Sequence, residues 1–566
     1  MRHHSLFLGL AAIALAACQP STPAAPPAAQ ATVPAPAQAA HAFNSDIHAA
    51  DYAELVKTLS SDAFEGRGPG TTGEEKSVDY IKAQFERAGL KPGNHGDWFQ
   101  TVPMMVTQAD PATTMNIDID GTPHALKFGT DMVVGTRTGQ QEVNIEGSEL
   151  VFVGYGVDAP EQKWNDYAGV DVKGKTVVMF VNDPGFHAQD PALFEGKRMT
   201  YYGRWTYKFE EAARKGAKAA LIIHDDAGAA YGWDVVKNSW SGPQYDLKAG
   251  DDPAPRLPVQ GWITGAQAKA LFAAAGLDLD QQRAAAGKRG FKAVPMKARM
   301  SVALNSTTRE QSSRNVVGLL PGSEKPDEAI VYMAHWDHLG KHEGETGDNI
   351  YNGAVDNATG VAGIIEIAEK FARSEPKPKR SLVFLAVTLE ESGLLGSKYY
   401  VAHPAIPMDR TVAVINMDAM PVGGRSKSMT VVGMGNSELE TLLADAVKPQ
   451  NRTLKAEATP EDGFYFRSDH FNFAKAGVPA LYAKGGDDLV EGGIEAGQAA
   501  EADYRKNRYH KPTDQYDASW KLDGILEDLN ALYLVGNTVA NDGSWPNWLE
   551  TSAFRAKRDA MMAAKK

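Results

Sequence analysis

VYMAHWDHLG, residues 331–340, changes character in its middle: an apolar run that reads as a buried strand ends in His335, Asp337 and His338 within four positions. The same texture recurs on either side. The apolar runs NVVGLL (315–320), AIVYMA (329–334), SLVFLAVT (381–388), TVAVINM (411–417) and VPALYA (478–483) alternate with helical segments such as TGVAGIIEIAEKFAR (359–373) and SELETLLADAV (437–447). Continuous apolar strands separated by helices predict an α/β domain, with a mostly parallel central sheet covered by helices on both faces. In open sheets of this kind the ligand site lies outside the carboxyl ends of the strands. Those ends are where polar chemistry gathers here: His335 after one run, Glu390 and Glu391 after another, Asp418 after a third.

Working outward, the whole chain has 566 residues, 43% hydrophobic and 23% charged, long enough for two or three domains. Its net charge of -13, with no dense Lys/Arg run, argues against nucleic acid as a partner. The single cysteine excludes an intramolecular disulfide and any cysteine-based zinc site. That cysteine is Cys18, at the end of MRHHSLFLGLAAIALAAC, whose apolar stretch from Leu6 to Ala17 is too short to span a bilayer. Residues 1–18 read as an export signal. Leu15-Ala16-Ala17-Cys18 resembles the lipobox of bacterial lipoproteins, which implies a lipidated Cys18 at the mature N-terminus. Gln19, rather than an aspartate, follows it, which resembles outer-membrane sorting with the protein facing the periplasm. The alternative is a soluble secreted protein with Cys18 incidental. Residues 19–42 are Ala or Pro at 16 of 24 positions, cannot build a core, and read as a tether.

Folded sequence is expected from residue 43. Asp51 to Leu90 carries a helical pattern, split by the Gly-rich turn EGRGPGTTG (65–73). From 118 to 295 the texture changes to short β-rich runs, SELVFVGYGV and KTVVMFVND, followed by a helix-like KFEEAARKGA leading into KAALIIHDD. This predicts an inserted β-rich domain, whose nearest resemblance is to the protease-associated domain. Residues 43–117 and 296–545 then form the main domain, and 546–566 a C-terminal tail.

Carboxylates clustered at one sheet edge with little arginine nearby repel one another unless a cation neutralises them. Histidine with Asp and Glu, and no thiolate, suits zinc in a catalytic site. Taken singly each residue is weak evidence, since a histidine after a strand is more often a loop residue and paired glutamates are usually a solvated helix start. Together they resemble the M28 metallopeptidases, a family of co-catalytic zinc exopeptidases with an aminopeptidase-like α/β fold. The motifs are His335-Trp336-Asp337, Asp356-Asn357-Ala358-Thr359-Gly360, Glu390 and Glu391 in LEESGLLGS, Asp418 in NMDAM and His510 in YHKPTD, with Ser468, Asp469 and His470 in RSDHFNFAKAGVPALY.

The resemblance implies two zinc ions, one on His335 and Asp418, the other on Glu391 and His510, with Asp356 bridging and a hydroxide held between the metals. It implies Asp337 orienting His335, Glu390 as general base, and Tyr509 as oxyanion donor. Tyr509 reads equally well as a packed strand-edge tyrosine. His338 and His342 are expected in solvent or behind the ligands, Asp348 lacks the turn that follows Asp356, and His470 stands just outside the site. The function so implied is an aminopeptidase acting on peptides. The alternatives are a zinc carboxypeptidase for short peptides, a glutaminyl-cyclase-like enzyme, or a binding protein that has lost catalysis.

Overall fold

Two helices, Ala49–Leu59 and Thr72–Ala88, open the folded region, where the three-to-four residue apolar spacing buries Leu55, Val56, Leu59, Val78, Ile81 and Phe85. The structure, a computed structural model, describes residues 46–252, 254–342 and 346–565. The signal, Cys18 and the tether lie outside them. No helix of the described residues is long and apolar enough to cross a membrane.

The main sheet is built on four parallel strands in the spatial order Arg380–Val387, Lys325–His335, Thr411–Asn416 and Ala480–Gly485. Each buries side chains on both faces, as continuous apolar runs require. NVVGLL differs from the other runs: it is the end of a 27-residue strand, Val294–Leu320, that pairs antiparallel with Arg380–Val387. Helices Thr359–Arg373 and Asp523–Asn541 pack one face of the sheet, while the other carries a second apolar cluster around Met333, Leu385, Val414 and Phe473. The register sets His335 level with Val387, so the strand ends align and His335, the Glu390–Glu391 turn and Asp418 leave the sheet side by side.

Most of the segment expected as an insertion packs into two further apolar clusters and a further sheet, which includes the long strand: its first half pairs with Glu142–Phe152 and Thr114–Ile119. It is less purely β than its sequence suggested. Thr176–Phe180, Ala219–Ile223 and Val259–Ile263 run parallel, each five residues long and fully buried, with helices such as Trp205–Arg214 and Gly265–Ala274 between or after them. Within the expected C-terminal tail, Trp548 is fully buried and Arg558 of helix Arg555–Ala564 donates to the carbonyls of Thr411 and Val412, so this stretch is docked.

Candidate metal centre

His335 ends its strand with its ring buried, and Nε2 faces two carboxylates: Asp356 Oδ1 at 3.2 Å and Asp418 Oδ1 at 3.4 Å. His510, in the turn after helix Gly493–Asn507, points Nε2 at Asp356 Oδ2 at 3.3 Å and Glu391 Oε2 at 3.0 Å. The two oxygens of Asp356 are therefore divided between two imidazoles. Asp418 stands on one side and Glu391 on the other. Glu390 joins the His335 side, with donor atoms of His335, Glu390 and Asp418 all within 4.8 Å of one another.

The loop carrying Asp356, residues 354–358 just before helix Thr359–Arg373, is held by Asp514. Its carboxylate accepts the backbone N–H groups of Val355 (3.1 Å) and Asp356 (3.1 Å), and its carbonyl accepts that of Ala354. Asn357 completes the turn, donating to Met417 O and accepting from the amides of Gly360 and Ala419, which ties the Asp356 and Asp418 loops together. Leu389 adopts a left-handed φ of 58°, so the chain bends before the two glutamates.

The expected partner of the His335 ring is Asp337, and the contact is made by its main chain: His335 Nδ1 lies 3.1 Å from Asp337 O and 3.9 Å from the carboxylate. The carboxylate instead accepts the N–H of Glu390 at 3.2 Å, linking the first ligand loop to the glutamate pair. His338, expected in solvent or behind the ligands, is buried, with Nδ1 2.6 Å from Glu391 Oε1. His342 stacks on Tyr351, Asp348 is exposed and accepts from Gln515, and His470 is buried between Tyr465 and Tyr482. Tyr509 stacks on the His510 ring, centroids 3.9 Å apart, and is 44% exposed.

Electrostatics describe a site short of cations. Burial lowers the imidazole pKa values, yet Glu390, Asp356 and Asp418 hold His335 well above the usual imidazole range, and Glu391 and Asp356 lift His510 to about 10. Asp356, against the penalty of its own burial, is held well below the carboxylate range by His335 and His510. Burial raises Asp337 to about 8 and Glu390 well above its ordinary value, with Glu391 adding to both. Protons on the two imidazoles thus stand where cations of greater charge would serve better. The donor set fits zinc: imidazole nitrogens and carboxylate oxygens, no thiolate, and buried polar atoms, Asp337 Oδ2 and His338 Nε2, without a hydrogen-bond partner.

Residues 315–534 match the model of Peptidase family M28. That segment is thus similar to the M28 peptidases. All of the clustered donors, His335 through His510, fall inside that matched segment. The chain is 26% identical over 371 residues to a glutamate carboxypeptidase 2 homolog of Caenorhabditis elegans, covering 60% of this chain and 46% of that one. It is 26% identical over 159 residues to the aminopeptidase NAALADL1 of Mus musculus, covering 27% and 19%. Among solved structures it resembles an aminopeptidase from Aneurinibacillus sp. strain AM-1, at 20% identity and a TM-score of 0.47, covering 88% of this chain and 95% of that one. The chain thus spans about half the length of that carboxypeptidase homolog.

Two residues packed beside this cluster escaped the sequence reading. Asp514 lies in the same YHKPTD motif as His510, and its spacing from the ligand was the available signal. Arg67, in the EGRGPGTTG turn, left no signal there beyond its glycines.

Proposed function

We propose that this chain is a zinc-dependent exopeptidase, acting as an aminopeptidase on peptides. One observation carries the reading: a single buried carboxylate, Asp356, faces both His335 and His510, and each of these faces a second acid. His335 and Asp418 would hold one zinc ion, His510 and Glu391 the other, with Asp356 between them. Such ions polarise a scissile carbonyl and ease deprotonation of water at neutral pH. Glu390 is left as the proton carrier. Its burial beside Glu391, Asp418 and Asp469 raises its proton affinity, which suits a group that takes a proton from water and returns it to the leaving amine. Tyr509, exposed and stacked on His510, would donate its hydroxyl to a developing oxyanion.

A second reading, a carboxypeptidase for short peptides, is favoured by two arginines. Arg204 of the expected insertion and Arg467 of the segment matched to M28 each have a buried Nε without a partner. Burial and the charge of Arg467 lower Arg204 to about 10, while Glu390 opposes the shift, so the Arg204 guanidinium lies within the field of the proposed base and beside Arg467. Two neighbouring arginines with unsatisfied Nε–H groups suit a substrate carboxylate. Zinc-loaded protein given free, amino-blocked and carboxy-blocked dipeptides decides between them. An aminopeptidase loses the amino-blocked substrate and keeps the carboxy-blocked one, and the reverse pattern supports the second reading. The proposed lipid anchor at Cys18 is tested separately: Cys18→Ala should leave the membrane fraction, and its retention there at wild-type levels would refute the anchor.

A further inference from the structure

The turn Glu65–Gly68 contributes no candidate ligand, yet it is wedged between the two loops that do. Glu65, Gly66 and Arg67 have left-handed φ values of 50°, 64° and 51°. A Cβ on Gly66 would lie 2.5 Å from Gly340 O and 2.6 Å from Tyr351 O, so glycine is needed for the turn to enter. The turn carries Arg67 into the interior, where it is fully buried. Its Nε donates to Trp336 O at 2.8 Å, Nη1 to Asn352 O at 2.6 Å and Leu59 O at 2.9 Å, and Nη2 to Gly353 O at 2.8 Å. Its own carbonyl accepts from the N–H of His338.

Trp336 sits between His335 and Asp337, and Gly353 lies three residues before Asp356. One planar guanidinium therefore joins the His335 loop, the Asp356 loop and the end of the first helix. Among the described residues its hydrogen bonds all go to main-chain carbonyls. Burying a charge with no carboxylate in contact is costly unless a nearby field compensates. The acids whose fields reach Arg67 are Asp514, Asp356, Asp337 and Glu391, all of them at the proposed metal centre.

We propose that Arg67 is a positioning residue of the metal centre: it fixes the spacing of the His335 and Asp356 loops and supplies countercharge behind them. The proposal rests on these acids and imidazoles being metal ligands. The test uses the full chain with Arg67→Met and Arg67→Lys, measuring zinc affinity by competition with a chromophoric chelator, the visible absorption of the cobalt-loaded protein, and thermal unfolding of the metal-free form. Removing a group behind metal ligands typically weakens affinity about 10- to 100-fold. Arg67→Met should fall in that range with an altered cobalt spectrum, which a loss of stability alone would not produce. Arg67→Lys, keeping the charge without the fork, should fall between Arg67→Met and wild type.

A folded Arg67→Met with wild-type zinc affinity and cobalt spectrum would overturn the proposal. If Arg67→Met does not fold, Arg67→Lys carries the test, and failure of both to fold would make Arg67 a determinant of folding instead. Wild-type protein that binds no zinc would refute the metal-centre reading itself, a result separate from either of these.

Discussion

Arg452 and Asp528 meet 2.6 Å apart, both almost wholly buried, and the other oxygen of Asp528 takes the N–H of Gly485 at 2.7 Å. Around Asp356 the acids are also largely buried, but no lysine or arginine of the described residues is in ion-pair contact with Asp356, Glu391 or Asp418; only imidazoles are. The first cluster carries its cation on its own chain. The second leaves the place to protons, which a divalent ion can displace. Charge balance thus separates a buried pair that holds the fold from a buried cluster built to take something up.

The sharpest way to break this comparison is the adjacent pair Glu390 and Glu391, of equal charge and in different halves of the site. Glu390→Gln should lower kcat by about 10² to 10⁴-fold with KM little changed and zinc content intact. Glu391→Gln should lose zinc. Peptidase rates beside zinc stoichiometry check both, and shedding of metal by Glu390→Gln would reverse the assignment of base and ligand.

Next comes the structural pair. Arg452→Met leaves Asp528 buried and uncompensated, and should destabilise the fold by about 3–5 kcal/mol in denaturant titrations. The folded fraction should bind zinc as wild type does. Loss of zinc there, at undiminished stability, would erase the distinction between the clusters.

A smaller effect is expected at His338, whose Nδ1 holds Glu391 Oε1 and leaves Oε2 for the His510 side. His338→Asn should weaken zinc binding by about tenfold, at the low end for residues behind a ligand, measured by chelator competition.

The smallest is a pH effect on the metal-free protein. The carboxylates of Glu391 and Asp356 lift His510 to about 10 in the fold, against about 6.5 in the unfolded chain. A raised pKa contributes stability in full below pH 6.5 and loses it as pH rises toward 10. The melting temperature of the metal-free wild type should therefore decline across that window, less steeply in His510→Gln, and parallel curves would count against the pairing seen here.

How much of this was legible in the sequence follows from where the information lies. The parallel strands and the donors at their ends were legible because burial on both faces forces apolar runs, and a polar residue ending such a run stands out. Asp337 was legible as a neighbour of His335, but not that its main-chain carbonyl makes the contact, since every residue offers one. Arg67 and Asp514 act on main-chain carbonyls and amides, which leave no pattern in residue types. In the insertion, the strand Val259–Ile263, VQGWI, mixes polar and apolar residues although fully buried, so its parallel arrangement was hidden. The docked C-terminal segment was hidden for a related reason: its anchors Trp548 and Phe554 stand apart in a stretch that mixes polar and apolar residues.

The central claim, that Asp356 joins two metal positions, is tested most directly by titrating zinc calorimetrically into the metal-free full chain of wild type and Asp356→Asn. Two ions per wild-type chain, with protons released on binding, and fewer than two in the variant are the predicted results. One ion or none in wild type, or two bound as tightly by Asp356→Asn, would contradict it.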